Sequence, residues 1–257
     1  MKFVFDLDGT ICFKGQPVSD ELLKALESLV ELGHEVVFAS ARPIRDLLPV
    51  LHKRWHDYPM IGGNGSMVAT EGRIMSTVGF DHEILLVLLD LLETYNVGYL
   101  IDGEWDYAYT GPVDHPILLN LDPHKLAARV ALHELKSVVK ILMLTSDDMA
   151  GLEEKLRLLD VVVHIHQGEG ALDISPTGIH KWSGLQQLGI AAGEYVAFGN
   201  DANDISMFQH ARHKVMIGDH PQLASFASEQ LQLDQNIEHA IAERLKSLGR
   251  LYAVTSV

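Results

Sequence analysis

Residues 3–10 read Phe-Val-Phe-Asp-Leu-Asp-Gly-Thr, and the fold class follows from them. Phe3 to Phe5 is a short run of aromatic and β-branched side chains, as expected of a strand buried on both faces. The run ends in Asp6, with Asp8 two positions on and Gly9 after it. In open α/β sheets, ligands bind beyond the carboxyl ends of the strands, so paired carboxylates at this point mark a site. Working outward, Ser19 predicts a helix N-cap with Asp20 and Glu21 in the first turn. Leu22, Leu23, Leu26, Leu29 and Val30 form the apolar stripe of that helix, and Gly33 closes it. Residues 35–39 predict a second strand. Pro43 opens a helix expected to run to about Trp55, and Pro59-Met60-Ile61 predicts a third strand before Gly62-Gly63-Asn64-Gly65. Such alternation of strand and helix implies a parallel sheet with helices on both faces.

The middle of the chain follows another pattern. Asp81 caps a very apolar helix to about Tyr95. Residues 97–101 and 105–109 predict paired strands around Asp102-Gly103-Glu104. A helix over 123–135 follows, then a strand at 138–144, a helix capped by Ser146, a strand at 161–166, a turn at Gly168-Glu169-Gly170 and a strand at 171–175. This predicts an α+β module with a largely antiparallel sheet at residues 80–177. After Gly178 the first pattern resumes, with a helix from His180 to Leu188, a strand at 195–198, a polar loop and helix at 199–211, and a strand at 214–217. The expected architecture is a discontinuous α/β core of residues 1–79 and 178–257, interrupted by an inserted cap at 80–177.

Composition narrows the function. Twenty Lys and Arg against 35 Asp and Glu give a net charge of −15 over 257 residues, and there is no basic run. Nucleic acid and anionic membranes are therefore excluded as expected partners. The longest apolar stretch, Ile84 to Leu89, stops at Asp90, far short of the ~20 residues that span a bilayer. The N-terminus lacks the shape of a signal peptide, so a cytoplasmic address is expected. Cys12 is the only cysteine and forms no internal disulfide. Oligomeric state is not legible.

Four polar clusters fall at the ends of predicted core elements: residues 6–10, residues 40–43, Lys181, and Gly199-Asn200-Asp201-Ala202-Asn203-Asp204. Asp6 and Asp8, so close together, repel unless a cation intervenes. Mg²⁺ suits such a place, because it takes one or two carboxylates plus phosphate oxygens. One carboxylate can then attack phosphorus, and the other can serve as acid and base. Lys181 and the Ser40 hydroxyl can hold the oxygens where charge develops. His164 and His166 share a strand face, but two histidines do not close a metal site, and a structural role is expected for them. Trp105, Tyr107 and Tyr109 alternate along a strand and are expected to pack.

In order and spacing these clusters resemble the four motifs of the haloacid dehalogenase superfamily of phosphotransferases. DLDGT at 6–10 matches the first motif, Ser40 the second, Lys181 the third and GNDANDISM, from Gly199, the fourth. ASARP, GGNGS and LDISPTGIHK, with the long insertion, resemble the Cof-type subfamily with its large α/β cap. The resemblance implies a Rossmann-like core and a Mg²⁺-dependent phosphatase. Its substrate would be a small phosphorylated metabolite: a sugar phosphate, a nucleotide or a cofactor phosphate. The resemblance further implies Asp6 as nucleophile, forming an aspartyl-phosphate, Asp8 as acid and base, and Lys181 as catalytic partner. Thr10, Ser40, Arg42, Asn64 and Asn203 would meet substrate or phosphate. The metal would be held by Asp6, the Asp8 backbone carbonyl, Asn200 and Asp204. Two positions depart from the family: Asn200 replaces the usual Asp, with Asp201 beside it as an alternative ligand, and Ala41 replaces the usual Gly. A phosphomutase or other phosphotransferase, and a non-catalytic phospho-accepting or binding protein, are the competing readings.

Overall fold

The computed structural model describes residues 1–166 and 170–253, without the side chain of His166. Of the turn expected at 168–170, Gly168 and Glu169 lie outside the described residues. Among the described residues the strands form two sheets, of eight and five strands. Before the insertion come β1 (Lys2–Phe5), β2 (Glu35–Ala39), β3 (Met60–Gly62), β4 (Met67–Thr70) and β5 (Arg73–Thr77). The five-stranded sheet contains β6 (Gly98–Asp102), β7 (Tyr107–Tyr109), β8 (Lys140–Thr145), β9 (Val161–His166) and β10 (Ala171–Pro176). The chain then returns to the first sheet through β11 (Tyr195–Gly199), β12 (His213–Ile217) and β13 (Glu229–Leu231).

The eight-stranded sheet has the order β13-β12-β11-β1-β2-β3-β4-β5. It is parallel from β13 to β3, and the hairpin β4–β5 adds an antiparallel edge. This is a Rossmann-like α/β sheet. Period-two alternation splits its strands between two cores. Phe3, Phe5, Val36, Phe38, Val196 and Phe198 pack on one face with α1 (Asp20–Glu31) and the C-terminal helix Ile237–Tyr252. Val4, Val37, Ala39, Tyr195 and Ala197 pack on the other, where α5 (Lys181–Gln187) and α6 (Ile205–His210) supply Leu185, Met207 and Phe208. Helix α1 follows its sequence signals. Ser19 is the N-cap, Leu22, Ala25, Leu26 and Leu29 are buried at helical spacing, and Gly33 follows the end with φ +79°.

The helix expected over residues 43–55 is shorter. It ends as α2 (Ile44–Leu47) and continues in tight 3₁₀ turns at 48–50 and 53–55. Pro49, which has no N–H to donate, interrupts the ladder.

The five-stranded sheet has the order β7-β6-β8-β10-β9 and is antiparallel throughout. Ile101, Ile141, Met143, Leu172 and Ile174 on one face bury Leu88 and Leu92 of α3 (His82–Thr94) and Leu152 and Leu156 of α4 (Met149–Leu156). Asp148, not Ser146, caps α4; the Ser146 hydroxyl accepts from the Asp148 N–H just before it. The helix expected over 123–135 does not form. Asp122 and Lys125 adopt left-handed backbone, φ +43° and +52°. The Asp122 carboxylate takes the N–H groups of Leu126 and Ala127. Residues 128–130 then run beside Tyr107, exchanging backbone hydrogen bonds with it. Local side-chain acceptors thus win over helical periodicity.

Candidate active site

Asp6 leaves the end of β1 next to β11, where strand order reverses, the position at which open sheets bind ligands. It is 4% exposed. Lys181 Nζ donates to Asp6 Oδ1 at 2.6 Å and to Asp204 Oδ1 at 2.5 Å. Lys181 and Asp204 are fully buried. Burial pushes the Asp6 carboxyl up to about 7, against the pull of Lys181 and with help from Asp204 and Asp8. Burial also opposes charge on Lys181, but its two carboxylates outweigh this and raise its pKa. The lysine opens α5, where His180 caps the helix: His180 Nδ1 accepts from the Ser183 N–H, and Ser183 Oγ accepts from the His180 N–H. Gly65 makes this entry possible. Its φ is +120°, and a Cβ there would meet the His180 carbonyl oxygen at 2.4 Å.

Thr10 Oγ1 lies 2.8 Å from Asp6 Oδ2 and 3.2 Å from Asn200 Oδ1, so the carboxylate and the amide oxygen converge on one hydroxyl. Asp204 Oδ2 accepts from the N–H groups of Asn200 and Asp201, bracing that loop. Asp201 reaches the cavity rim but is engaged by other partners: its Oδ1 accepts from the Ala202 N–H and stands 3.3 Å from His220 Nε2. Gly9, with φ +78°, leaves the space that Asn200 fills, since a Cβ there would meet Asn200 Nδ2 at 2.2 Å.

Arg42 grips Asp8 with both arms, Nε to Oδ2 at 2.7 Å and Nη2 to Oδ1 at 2.6 Å. Although burial works against its charge, Asp8 raises the Arg42 pKa. Buried Ser40 accepts from the Arg42 N–H through Oγ. Asn64 Oδ1 accepts from Asn203 Nδ2 at 3.1 Å, while Asn64 Nδ2 is buried with no hydrogen-bond partner among the described residues. A cavity of about 340 Å³ opens above this floor, and Asp6, Asp8, Ser40, Arg42, Asn200 and Asn203 line it. Thr10, Asn64, Lys181 and Asp204 are not on its wall; each is hydrogen-bonded to a residue that is. Cys12 is buried, donates to the Gln16 carbonyl and has its thiol pushed up to about 12 by burial, so it is inert at neutral pH.

The oxygen donors present suit a hard divalent cation. Asp6 Oδ2 and Asn200 Oδ1 lie close together, both within 3.2 Å of Thr10 Oγ1, and carboxylate and amide oxygens are the ligand type Mg²⁺ takes. Among the described residues no group of three or more His, Cys, Asp and Glu is arranged to hold an ion.

Two wall residues, Asp46 and Lys140, and Arg45 beside them carried no sequence signal. Arg45, 1% exposed, joins α2 to the five-stranded sheet: it donates to Asp102 at 2.5 Å, to Asp46 at 3.2 Å and to the Trp105 carbonyl at 2.7 Å. Asp46 also accepts from the Asp122 N–H, and burial pushes its carboxyl up to about 6 despite Arg45. Lys140 of β8 bonds Asp173 at 2.9 Å and the Ala41 carbonyl at 2.8 Å. These partners are distant in sequence, and the only local clue was a lysine heading a buried apolar strand. Trp105, Tyr107 and Tyr109 are absent from the cavity wall. Trp105 donates to the Leu126 carbonyl, and Arg45 lies over the Tyr107 ring.

Known proteins match the chain over most of their length. The chain is 24% identical over 230 residues to the 5-amino-6-(5-phospho-D-ribitylamino)uracil phosphatase of Bacillus subtilis (strain 168), covering 83% of this chain and 84% of that protein. It is 26% identical over 263 residues to the HMP-PP phosphatase of Serratia proteamaculans (strain 568), covering 94% and 93%. Among solved structures, a HAD subclass IIB sugar phosphatase superposes with a TM-score of 0.77 at 19% identity, covering 96% of this chain and 98% of that one. A haloacid dehalogenase-like hydrolase from Bacteroides thetaiotaomicron gives 0.78 at 22%, with the same coverage. Residues 3–245 match the family model of the haloacid dehalogenase-like hydrolases, and the chain belongs to that family, in its Cof-type phosphatase branch.

Proposed function

We propose that this chain hydrolyses phosphate monoesters of small metabolites through an aspartyl-phosphate on Asp6. The observation that carries the reading is the Asp6 carboxylate itself, buried on the cavity floor between Lys181 and Thr10. On this reading the carboxylate attacks phosphorus, and the bond to the leaving oxygen breaks as Asp8 gives that oxygen a proton. Water then attacks phosphorus, Asp8 takes the proton, and the bond to Asp6 breaks to release inorganic phosphate. Lys181 holds Asp6 oriented and offsets charge on the transferred group. For Asp8 to act, Arg42 must loosen one arm of its grip.

Asp6, the Asp8 backbone carbonyl and Asn200 would hold Mg²⁺, with Asp204 behind them. When bound, the ion neutralises phosphate charge that a protein of net −15 would otherwise repel. Asn200, not Asp201, is the loop ligand on this reading, because Asp201 is already turned toward Ala202 and His220. Residues 80–177 act as a cap over a core of 1–79 and 178–257, and water exclusion between them favours transfer to Asp6 over side reactions.

The test is Asp6→Asn. Turnover of a generic phosphate monoester with Mg²⁺ should fall at least ~10³-fold, with an unchanged circular dichroism spectrum. Wild-type turnover by a pure, folded Asp6→Asn sample would end the reading.

A further inference from the structure

Lys181 reaches the cavity floor from the first residue of a helix whose start has little to hold it. Helix α5 has seven residues, and Gly184 stands in its middle. A Cβ there would meet Ile61 Cγ2 at 2.6 Å, so the glycine serves packing, but it weakens a helix already too short to form on propensity alone. The place of the first turn therefore depends on its cap. That cap is His180. Its Nδ1 accepts from the Ser183 N–H at 2.9 Å, and Ser183 Oγ accepts from the His180 N–H at 3.1 Å. The Trp182 N–H reaches Ser206 Oγ only at 3.4 Å.

A ring nitrogen that accepts has its lone pair free, so His180 is neutral here, with its proton on Nε2. A second proton would set an N–H of the ring against the N–H of Ser183 and end the cap. It would also place a cation at the N-terminus of α5, where the helix N–H groups oppose one. Among the described residues packed around α5, the turn at 63–65, β3 and β4 carry no titratable side chain. Helix α6 carries His210, which stacks on Trp182 at 4.3 Å, and Asp204 at its start is paired with Lys181. Burial, helped by His210, holds the His180 pKa below its ordinary value, although a backbone hydrogen bond works the other way. The cap is therefore intact at neutral pH and is lost as pH falls through that lowered pKa.

We propose that His180 is the positioning residue of Lys181: its neutral ring fixes the turn from which the lysine reaches Asp6, so acid releases that turn and lowers turnover. The proposal rests on the phosphatase reading above and adds how the site is held and how it responds to pH. Lys181 is fully buried and spans to two carboxylates at 2.6 and 2.5 Å. A displacement of about 1 Å at such a group can cost up to ~10²-fold in rate.

The test compares steady-state kinetics of the full chain with Mg²⁺ on benzyl phosphate for wild type, His180→Ala and His180→Asn. Asparagine keeps a side-chain acceptor at the cap and does not titrate; alanine has no acceptor. At about pH 7.5, His180→Ala should lose at least ~5-fold in kcat with KM within about twofold, and His180→Asn should stay within about twofold of wild type in kcat. Between about pH 7.5 and about pH 5.5, the ratio of His180→Asn to wild-type kcat should rise at least ~3-fold. An acid limb set by Asp6, Asp8 or His210 is common to both proteins and cancels in that ratio. Wild-type kcat in folded His180→Ala, a His180→Asn variant as slow as His180→Ala, or a ratio that does not change with pH overturns the inference and leaves the phosphatase reading standing. If His180→Ala does not fold, the ratio decides alone. No turnover by wild type removes the phosphatase reading, and the inference with it.

Discussion

The floor of the cavity and the seam beside it use the same device for different ends. On the floor, Lys181 is buried between Asp6 and Asp204. In the seam, Arg45 is buried between Asp46 and Asp102. Each cation offsets two carboxylates that could not otherwise stay ionised inside the protein. The carboxylates of Lys181 all come from loops of one sheet, so its triad is rigid with the core and can serve chemistry. Those of Arg45 come from α2 and from β6, so its triad ties a helix of the first unit to the five-stranded sheet. A buried ion pair therefore does not reveal its purpose by burial or charge; the elements that supply its partners do.

Three substitutions would break or sharpen this contrast. The largest effect is expected from Lys181→Met. Turnover should fall ~10³-fold or more, and the unfolding free energy should drop by roughly 3–5 kcal/mol because Asp6 and Asp204 lose their shared partner. Steady-state kinetics and urea denaturation measure both, and a variant that keeps its turnover would make the floor merely structural. Next, Arg45→Met should cost about 3 kcal/mol of stability, for the same electrostatic reason, while turnover of benzyl phosphate by the folded fraction stays within about fivefold of wild type. Loss of turnover without loss of stability would move Arg45 from the seam into the chemistry.

The smallest effect concerns Asp46. Its carboxyl is raised from 3.8 to about 6, so the folded state holds this proton more tightly than the unfolded state. The stability it contributes is complete below about pH 4 and is lost as pH rises through about 6. A shift of roughly two units, at ~1.4 kcal/mol each, gives up to about 3 kcal/mol. Between pH 4 and 7.5, wild type should lose more stability than Asp46→Asn by up to that amount in denaturation midpoints. Parallel pH profiles would show that the seam does not feel the proton.

The core was legible because its signals are local. Apolar runs marked β1 and β2, Ser19 and Gly33 bracketed α1, and the polar clusters stood where strands end. The site clusters carried their chemistry in short motifs, and the structure brings those motifs together. The inserted region was legible in its antiparallel strands but not at 123–135. There Asp122 satisfies backbone N–H groups of its own segment, a competition that apolar periodicity does not register. Arg45 escaped notice because its partner Asp102 lies 57 residues away, beyond any pattern of spacing. The edge hairpin β4–β5 was missed for a related reason. It extends the sheet in the antiparallel sense, which strand–helix alternation does not anticipate.

Gly9 and Asn200 behave as one unit under substitution. The amide at 200 fills the volume that a side chain at 9 would need, so the two positions constrain each other's substitutions. Any L-residue at position 9 would have to push the Asn200 side chain aside as well as meet its own left-handed backbone strain. Substitutions at the pair are then expected to be non-additive. An apparently neutral replacement on the loop after β11 can thus decide which sequences remain open to the loop after β1, nearly 200 residues earlier.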